Sequence, residues 1–188
     1  MRAWIFGRHW ASALAGSLVF AVACSGSGVG VGGDGESPKP ETCNGVDDNL
    51  DGNIDETGCE EPVEQFGRHA YLFVRQLKSW EDARAHCAAR GYHLVTIDSA
   101  EENAFLDETT KSKAVFNISW WIGLNDRAAE NSFTWEDGTP LGYTNWGTNQ
   151  PDNFFEEDCV EIVTYTADGR WNDIGCLTAH YFICEAGR

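Results

Sequence analysis

Five oxygen-bearing side chains alternate along Asp47, Asn49, Asp51, Asn53 and Asp55, with Gly52 for a sharp turn and Ile54 as an apolar anchor. That is the opening of a calcium loop, in which a hard cation collects carboxylate and amide oxygens from every second residue. The bidentate Glu that closes such a loop is absent, because Gly58 stands there. The expectation is weak binding, or an acidic spacer holding no specific metal. Further on, Glu136 to Asp158 is a long run rich in Gly, Asn and Asp. A loop of that length in a compact domain is usually functional. It also needs something to hold it, and a cation with several oxygen ligands would do so. Within it Glu156, Glu157 and Asp158 are neighbouring carboxylates, the residue types of a glycosidase pair. The chain has neither H-E-x-x-H nor G-x-S-x-G. His69, His86, His93 and His180 show no metal-ligand spacing and are expected to be ordinary surface or half-buried histidines. No catalytic residue is assigned, and an enzyme is not expected.

The charge balance points the same way. Thirty acids against thirteen bases give the 188-residue chain a formal charge of −17. A phosphate backbone needs a cationic surface, so nucleic acid is excluded as a partner. Hard cations are favoured. A hydrophobic content of 42% is enough for a packed core. Eight Trp, five Tyr and ten Phe against one Met suggest an extracellular domain with aromatic surfaces, and seven Cys point to an oxidising compartment.

Four segments are expected. Residues 1–23 read as a signal peptide: Arg2 and Arg8 are basic, and Ala11 to Ala23 is mostly apolar but too short for a membrane span. Ala21-Val22-Ala23 fits a signal-peptidase site. With Cys24 it also resembles a bacterial lipobox, although Leu is commoner where Ala21 stands. Removing Cys24 from the count leaves six Cys, an even number, which favours lipidation of Cys24 over a freely secreted chain with one unpaired thiol. Residues 24–42, rich in Gly, Ser and Pro, read as a flexible tether. Residues 43–61 form the acidic Cys-rich module, and residues 66–186 the main domain.

In the main domain Tyr71–Val74 is a short strand. Ser79 caps a helix running to about Arg90, with Trp80, Ala83, Cys87 and Ala88 on its apolar face and Gly91 as its stop. Leu94–Ile97 is a strand, and Ser99 with Glu102 forms a capping box for a helix through about Glu108. Trp121–Leu124, Phe133–Trp135, Cys159–Val163 and Tyr181–Cys184 are further strands.

The order Trp80, Ala83, Cys87, Gly91, Leu94, Ser99, Glu102, Trp121-Ile122-Gly123-Leu124, Asn145-Trp146, Gln150-Pro151-Asp152, Glu157-Asp158-Cys159, Trp171-Asn172-Asp173, Cys176 and Phe182-Ile183-Cys184-Glu185 resembles a C-type lectin domain. The resemblance implies an α+β fold with two helices, antiparallel sheets and a long calcium-binding loop region. It also implies the disulfides Cys87–Cys184 and Cys159–Cys176. The acidic stretch resembles a short metal-binding motif of proteobacterial, notably myxobacterial, surface proteins. Leu50 replaces a Cys usual in that motif, which leaves Cys43 and Cys59 to pair.

For a sugar-binding member the implied ligands of the central calcium are Gln150, Asp152, Glu157, Asn172 and Asp173, with the Gln150–Pro151 peptide cis. Amide first and acid second in Gln-Pro-Asp goes, by that resemblance, with galactose-type sugars. Gln150, Asp152, Glu157 and Asn172 would meet the sugar hydroxyls. Phe154 stands where galactose-binding members often place Trp to stack on the sugar's apolar face; Phe154 or Phe155 in the core is the alternative. An auxiliary calcium is implied on Asp126, Glu130, Asn153 and Asp158, with Glu157 shared. The implied function is a calcium-dependent lectin for neutral, galactose-type glycans. It would be exported as an outer-membrane or cell-surface lipoprotein, with the lipid anchor as its only membrane contact, or secreted. The alternative is a protein-binding or adhesion module of the same fold.

Overall fold

The computed structural model describes residues 40–55, 59, 61–114 and 117–187. The signal segment, most of the tether with Cys24, and Gly58 fall outside the described residues. The elements are β1 (Val63–Phe66), β2 (His69–Lys78), α1 (Trp80–Ala88), β3 (His93–Leu94), α2 (Ala100–Lys113), β4 (Trp120–Asn125), β5 (Thr134–Trp135), β6 (Cys159–Ile162), β7 (Trp171–Ile174) and β8 (His180–Ala186).

The strands form one sheet in the order β1-β2-β8-β4-β6-β7, with β3 on β8 and β5 on β4. Strand β2 runs against β8, Ala70 facing Ala186 and Val74 facing Phe182, so both ends of the domain meet in the sheet. Pairing is antiparallel except between β4 and β8, which run parallel. The sheet is therefore mixed, not purely antiparallel. The β4–β8 pair needs a long crossover connection, and the whole of β5, β6, β7 and the intervening loop supplies it.

Both faces of the sheet are covered, which is why its strands read as nearly continuous apolar runs. On one face α1 packs Trp80, Ala83 and Cys87 against Trp121, Phe182 and Cys184. On the other, Leu106 of α2 joins Trp120, Ile122, Leu124, Val160, Ile162, Trp171 and Ile183. The buried indoles are satisfied as well as packed: Trp80 Nε1 donates to Ile122 O at 2.8 Å and Trp171 Nε1 to Asn103 Oδ1 at 2.8 Å.

Several boundaries differ from the sequence reading. Ser79 caps α1 as expected, accepting from Asp82 N, but the helix ends at Ala88, and Ala88 is exposed. Helix α2 runs on to Lys113, sustained by buried Thr110 and the Lys111–Asp107 pair. Only His93–Leu94 forms a strand. Val95 instead bridges β8 and β4, its N–H donating to Ile183 O and its carbonyl accepting from Gly123 N. A side chain at Gly123 would collide with the Leu94 and Val95 carbonyls, which explains the glycine inside that apolar strand. Strands β1 and β7 were not anticipated.

Disulfides join Cys87 to Cys184, Cys159 to Cys176 and Cys43 to Cys59. The first ties α1 to β8, and the second closes the β6–β7 end. The acidic module is seated on the domain. Asp55 is fully buried. Its carboxylate accepts from the Tyr92 hydroxyl at 2.6 Å, Gly45 N at 2.7 Å and Asn44 N at 3.2 Å. Ile54 packs on the core beside it. Asp47, Asn49 and Asp51 accept backbone N–H groups of residues 51–53 in successive tight turns. Asp55 is turned onto Tyr92, Gly45 and Asn44, so its carboxylate is engaged by the domain and not by the loop turns.

Burial and the Asp55 carboxylate together push the Tyr92 phenol above its ordinary pKa. Tyr92→Phe removes a donor to a buried carboxylate, worth about 2 kcal/mol. The expected result is a fall in Tm of roughly 4–8 °C for a chain of this size, measured by calorimetry. An unchanged Tm would mean that the module is not held through Asp55.

Candidate metal centre

The loop between β5 and β6 is fastened to β7 along its length. Trp146 packs edge-on against Phe133 and Trp171, and Tyr143 against Trp171. Trp171 N donates to Asn145 O, and Gly147 N to Trp171 O. After the cis Gln150–Pro151 peptide, the loop is caught by Asp173 of β7. That residue is 1% exposed. Its two carboxylate oxygens accept from Asp152 N at 3.1 Å and Asn153 N at 2.9 Å. Glu157 closes the turn: Oε2 accepts from Phe154 N at 3.0 Å, and Glu157 N donates to Asn153 Oδ1 at 2.7 Å.

These contacts bring Asp152, Glu157 and Asp173 together, each offering a carboxylate oxygen within 4.8 Å of the others. Two residues before Asp152, across the cis peptide, Gln150 Oε1 is buried with no hydrogen-bond partner. Three clustered carboxylates and an orphaned amide oxygen are costly unless something positive sits among them. Burial pushes the Glu157 carboxyl above its ordinary pKa; Phe154 N–H opposes this, and the charges of Asp173 and Asp152 add to it. The donors are all hard oxygens, as calcium requires. Asn172 follows a different partner, its Nδ2 donating to Glu161 Oε1 at 3.0 Å.

A second acidic group adjoins the first. Asp126 is buried, with Oδ2 accepting from Asn131 N and Oδ1 buried without a partner. Its N–H donates to Asp158 O. Burial raises the Asp126 pKa, and the charges of Asp158 and Asp173 add to this. Glu130 is also raised, by desolvation and then by Asp126, Asp158 and Glu156. Asn153 turns its amide nitrogen to Glu130 Oε2 at 2.7 Å and its oxygen to Glu157 N. It thus links the two groups, and in this conformation its oxygen is engaged by backbone.

Phe154 and Phe155 are 65% and 85% exposed, so neither is core. Their rings meet edge to face, 4.3 Å apart at 70°. Phe155 and Glu156 take φ of 63° and 66°, and Asn153 takes 47°. Bulky residues in the left-handed region are strained, and such strain concentrates at functional loops. The exposure of Phe155 was not foreseen. An apolar residue in a polar loop carries no signal of whether it faces in or out.

The histidines are dispersed. His69 pairs with Glu185 at 2.6 Å and His180 lies 2.9 Å from Glu161. His86 meets the Phe182 ring edge-on, and burial lowers its pKa to about 4.

The family model described as Lectin C-type domain matches residues 76–186. Human "C-type lectin domain family 17, member A" is 38% identical over 127 residues, 68% of this chain and 32% of its own length. This chain therefore spans about a third of that curated relative. Among solved structures, the mouse scavenger receptor C-type lectin carbohydrate-recognition domain is 36% identical, covering 70% of this chain and 99% of its own, with a TM-score of 0.61. The C-type lectin CEL-I from Cucumaria echinata is 31% identical, covering 69% and 97%, with a TM-score of 0.64. With the helices, mixed sheet and disulfides already described, these matches place the chain in the C-type lectin family.

Proposed function

We propose that this chain is a calcium-dependent lectin for galactose-type sugars. The observation that carries the reading is the convergence of Asp152, Glu157 and Asp173, and the buried, unpartnered oxygen of Gln150, two residues before Asp152, supports it. Bound there, calcium supplies a hard centre for two vicinal sugar hydroxyls. The chain's own residues do the rest. Asp152 and Glu157 accept hydrogen bonds from the sugar hydroxyls, Gln150 and Asn172 donate from their amides, and Asp173 holds the loop that carries Asp152. The Phe154–Phe155 pair offers an aromatic surface to the apolar face of galactose. Asp126, Glu130 and Asp158 would hold an auxiliary ion that stiffens the same loop. The disulfides and the signal-like N-terminal segment support export, and Cys24 would anchor the chain to a membrane. Clustering there raises avidity without new contacts, which suits a site of a few hydroxyls on an open rim.

The test is passage of the soluble chain, beginning after Cys24, over immobilised galactose with calcium. The expected result is retention, with release by chelator and by galactose but not by mannose. Flow-through in calcium would sink the galactose reading. Elution by mannose as readily as by galactose would sink the Gln150-Pro151-Asp152 specificity.

A further inference from the structure

All four residues of β6, Cys159-Val160-Glu161-Ile162, are buried. Glu161 is 3% exposed, a carboxylate among apolar neighbours. Taking such a charge out of water is costly, and a well-packed apolar residue of similar volume is often at least as stable in its place. The contacts of Glu161 show what it holds. Strand register sets it opposite Asn172 of β7 on one side and Trp121 of β4 on the other. Oε1 accepts from Asn172 Nδ2 at 3.0 Å. Oε2 lies 2.9 Å from His180 Nε2, within ion-pair distance though not aligned as a hydrogen bond. His180 is itself held edge-on to the Trp121 ring, with centroids 4.7 Å apart.

A carboxylate can only accept, so the end of the Asn172 side chain turned to Glu161 is its NH2. The carbonyl end is left for the other side of the group, and a hard cation requires an oxygen there. We propose that Glu161 is a positioning residue of the sugar site, braced by His180. By holding one N–H of Asn172, it fixes which end of that amide serves the ion and leaves the second N–H for a sugar hydroxyl. The proposal rests on the calcium and sugar reading above. Without Glu161 the amide is free to turn over, which would put an NH2 against the cation and an oxygen against the sugar.

The test compares Glu161→Leu with Glu161→Gln. The glutamine keeps an oxygen that can accept from Asn172; the leucine fills the volume and cannot. Partners behind first ligands typically matter by about 10–100-fold. Galactoside affinity at saturating calcium is expected to fall at least about tenfold in Glu161→Leu and to stay within about threefold of the parent in Glu161→Gln. The Tm of the calcium-free protein should be unchanged or higher in Glu161→Leu, which separates positioning from damage to the fold. In calcium-free protein, the Asn172 side-chain amide resonances (assigned by their loss in Asn172→Asp) should move in Glu161→Leu towards those of a solvated amide. Parent-like affinity in Glu161→Leu, or a Tm that falls along with affinity, overturns the proposal. A parent chain that binds calcium but no galactoside overturns the sugar reading alone, and the ratio of calcium affinities then tests Glu161. A parent chain that binds no calcium overturns both.

Discussion

Asp152→Asn abolishes retention on immobilised galactose while leaving the calcium-free protein as stable as before, or more so. Asp152 is exposed, and its backbone N–H, which the substitution keeps, is what ties it to Asp173. The change therefore removes one charge and little else. In the calcium-free protein that charge is a liability, because its carboxylate oxygen lies within 4.8 Å of those of Glu157 and Asp173. Relief of the repulsion should raise Tm slightly, by roughly 1–3 °C, since about 1 kcal/mol moves Tm by about 2–4 °C in a chain of this size. For the loaded protein the sign reverses. A unit charge pair 4 Å apart at an effective dielectric of about 20 is worth about 4 kcal/mol. Coordination brings a divalent ion closer than that, so calcium affinity should fall at least about a hundredfold. Calorimetric titration with calcium, together with Tm with and without it, reads both halves. A calcium-free protein that loses stability would make Asp152 a structural residue, and undiminished galactose retention would remove it from the site.

What could be read from the chain and what could not divide along the range of the interactions. Caps at Ser79 and Ser99 were visible because a hydroxyl and the N–H three residues on are local neighbours. The run from Glu136 to Asp158 stood out because polar types crowd one segment between apolar strands, whereas Gln150, Asp152 and Glu157 within it were singled out only by the resemblance to C-type lectin motifs. Asp173 was named as a ligand, yet Trp171–Ile174 was not recognised as a strand. Its two central residues are polar, and its pairing with β6 is a long-range fact. The same register puts Asn172 opposite Glu161, so a buried carboxylate behind the loop had no signal at all. Asp55 shows the converse. It fits the alternating row of oxygens in sequence, but the row is broken because Tyr92, 37 residues away, offers its hydroxyl to that carboxylate. The parallel pairing of β4 with β8 was hidden for the same reason, since both strands are locally plain apolar runs.

Acidification should weaken calcium binding starting above the ordinary carboxylate range, and the reason lies in the direction of three pKa shifts. In the calcium-free protein Glu157, Asp126 and Glu130 are all raised, each with burial or desolvation as the first cause. A carboxyl raised in the fold carries its cost above its folded pKa, where it must ionise against its surroundings. That cost fades as pH falls through the folded value towards the unfolded one. With the ion bound the order reverses. Ligating carboxylates must be deprotonated, so their pKa values are depressed, and the stability they add is present at neutral pH and lost as pH falls. Calcium-free and loaded proteins therefore approach each other from both sides, and the gain in Tm on adding calcium should be largest at neutral pH and shrink steadily as pH falls. His86 titrates in both forms and cancels in that difference. Each carboxyl still protonated at the working pH contributes roughly a tenfold loss of affinity per pH unit. Calorimetry at about pH 5.5 in two buffers of different ionisation enthalpy counts the protons released on binding. Glu157→Gln should release fewer than the parent, and Asp126→Asn likewise if the adjoining group also takes an ion. Zero proton release by the parent, or a calcium-induced gain in Tm that does not shrink on acidification, would mean that these carboxylates do not hold the metal.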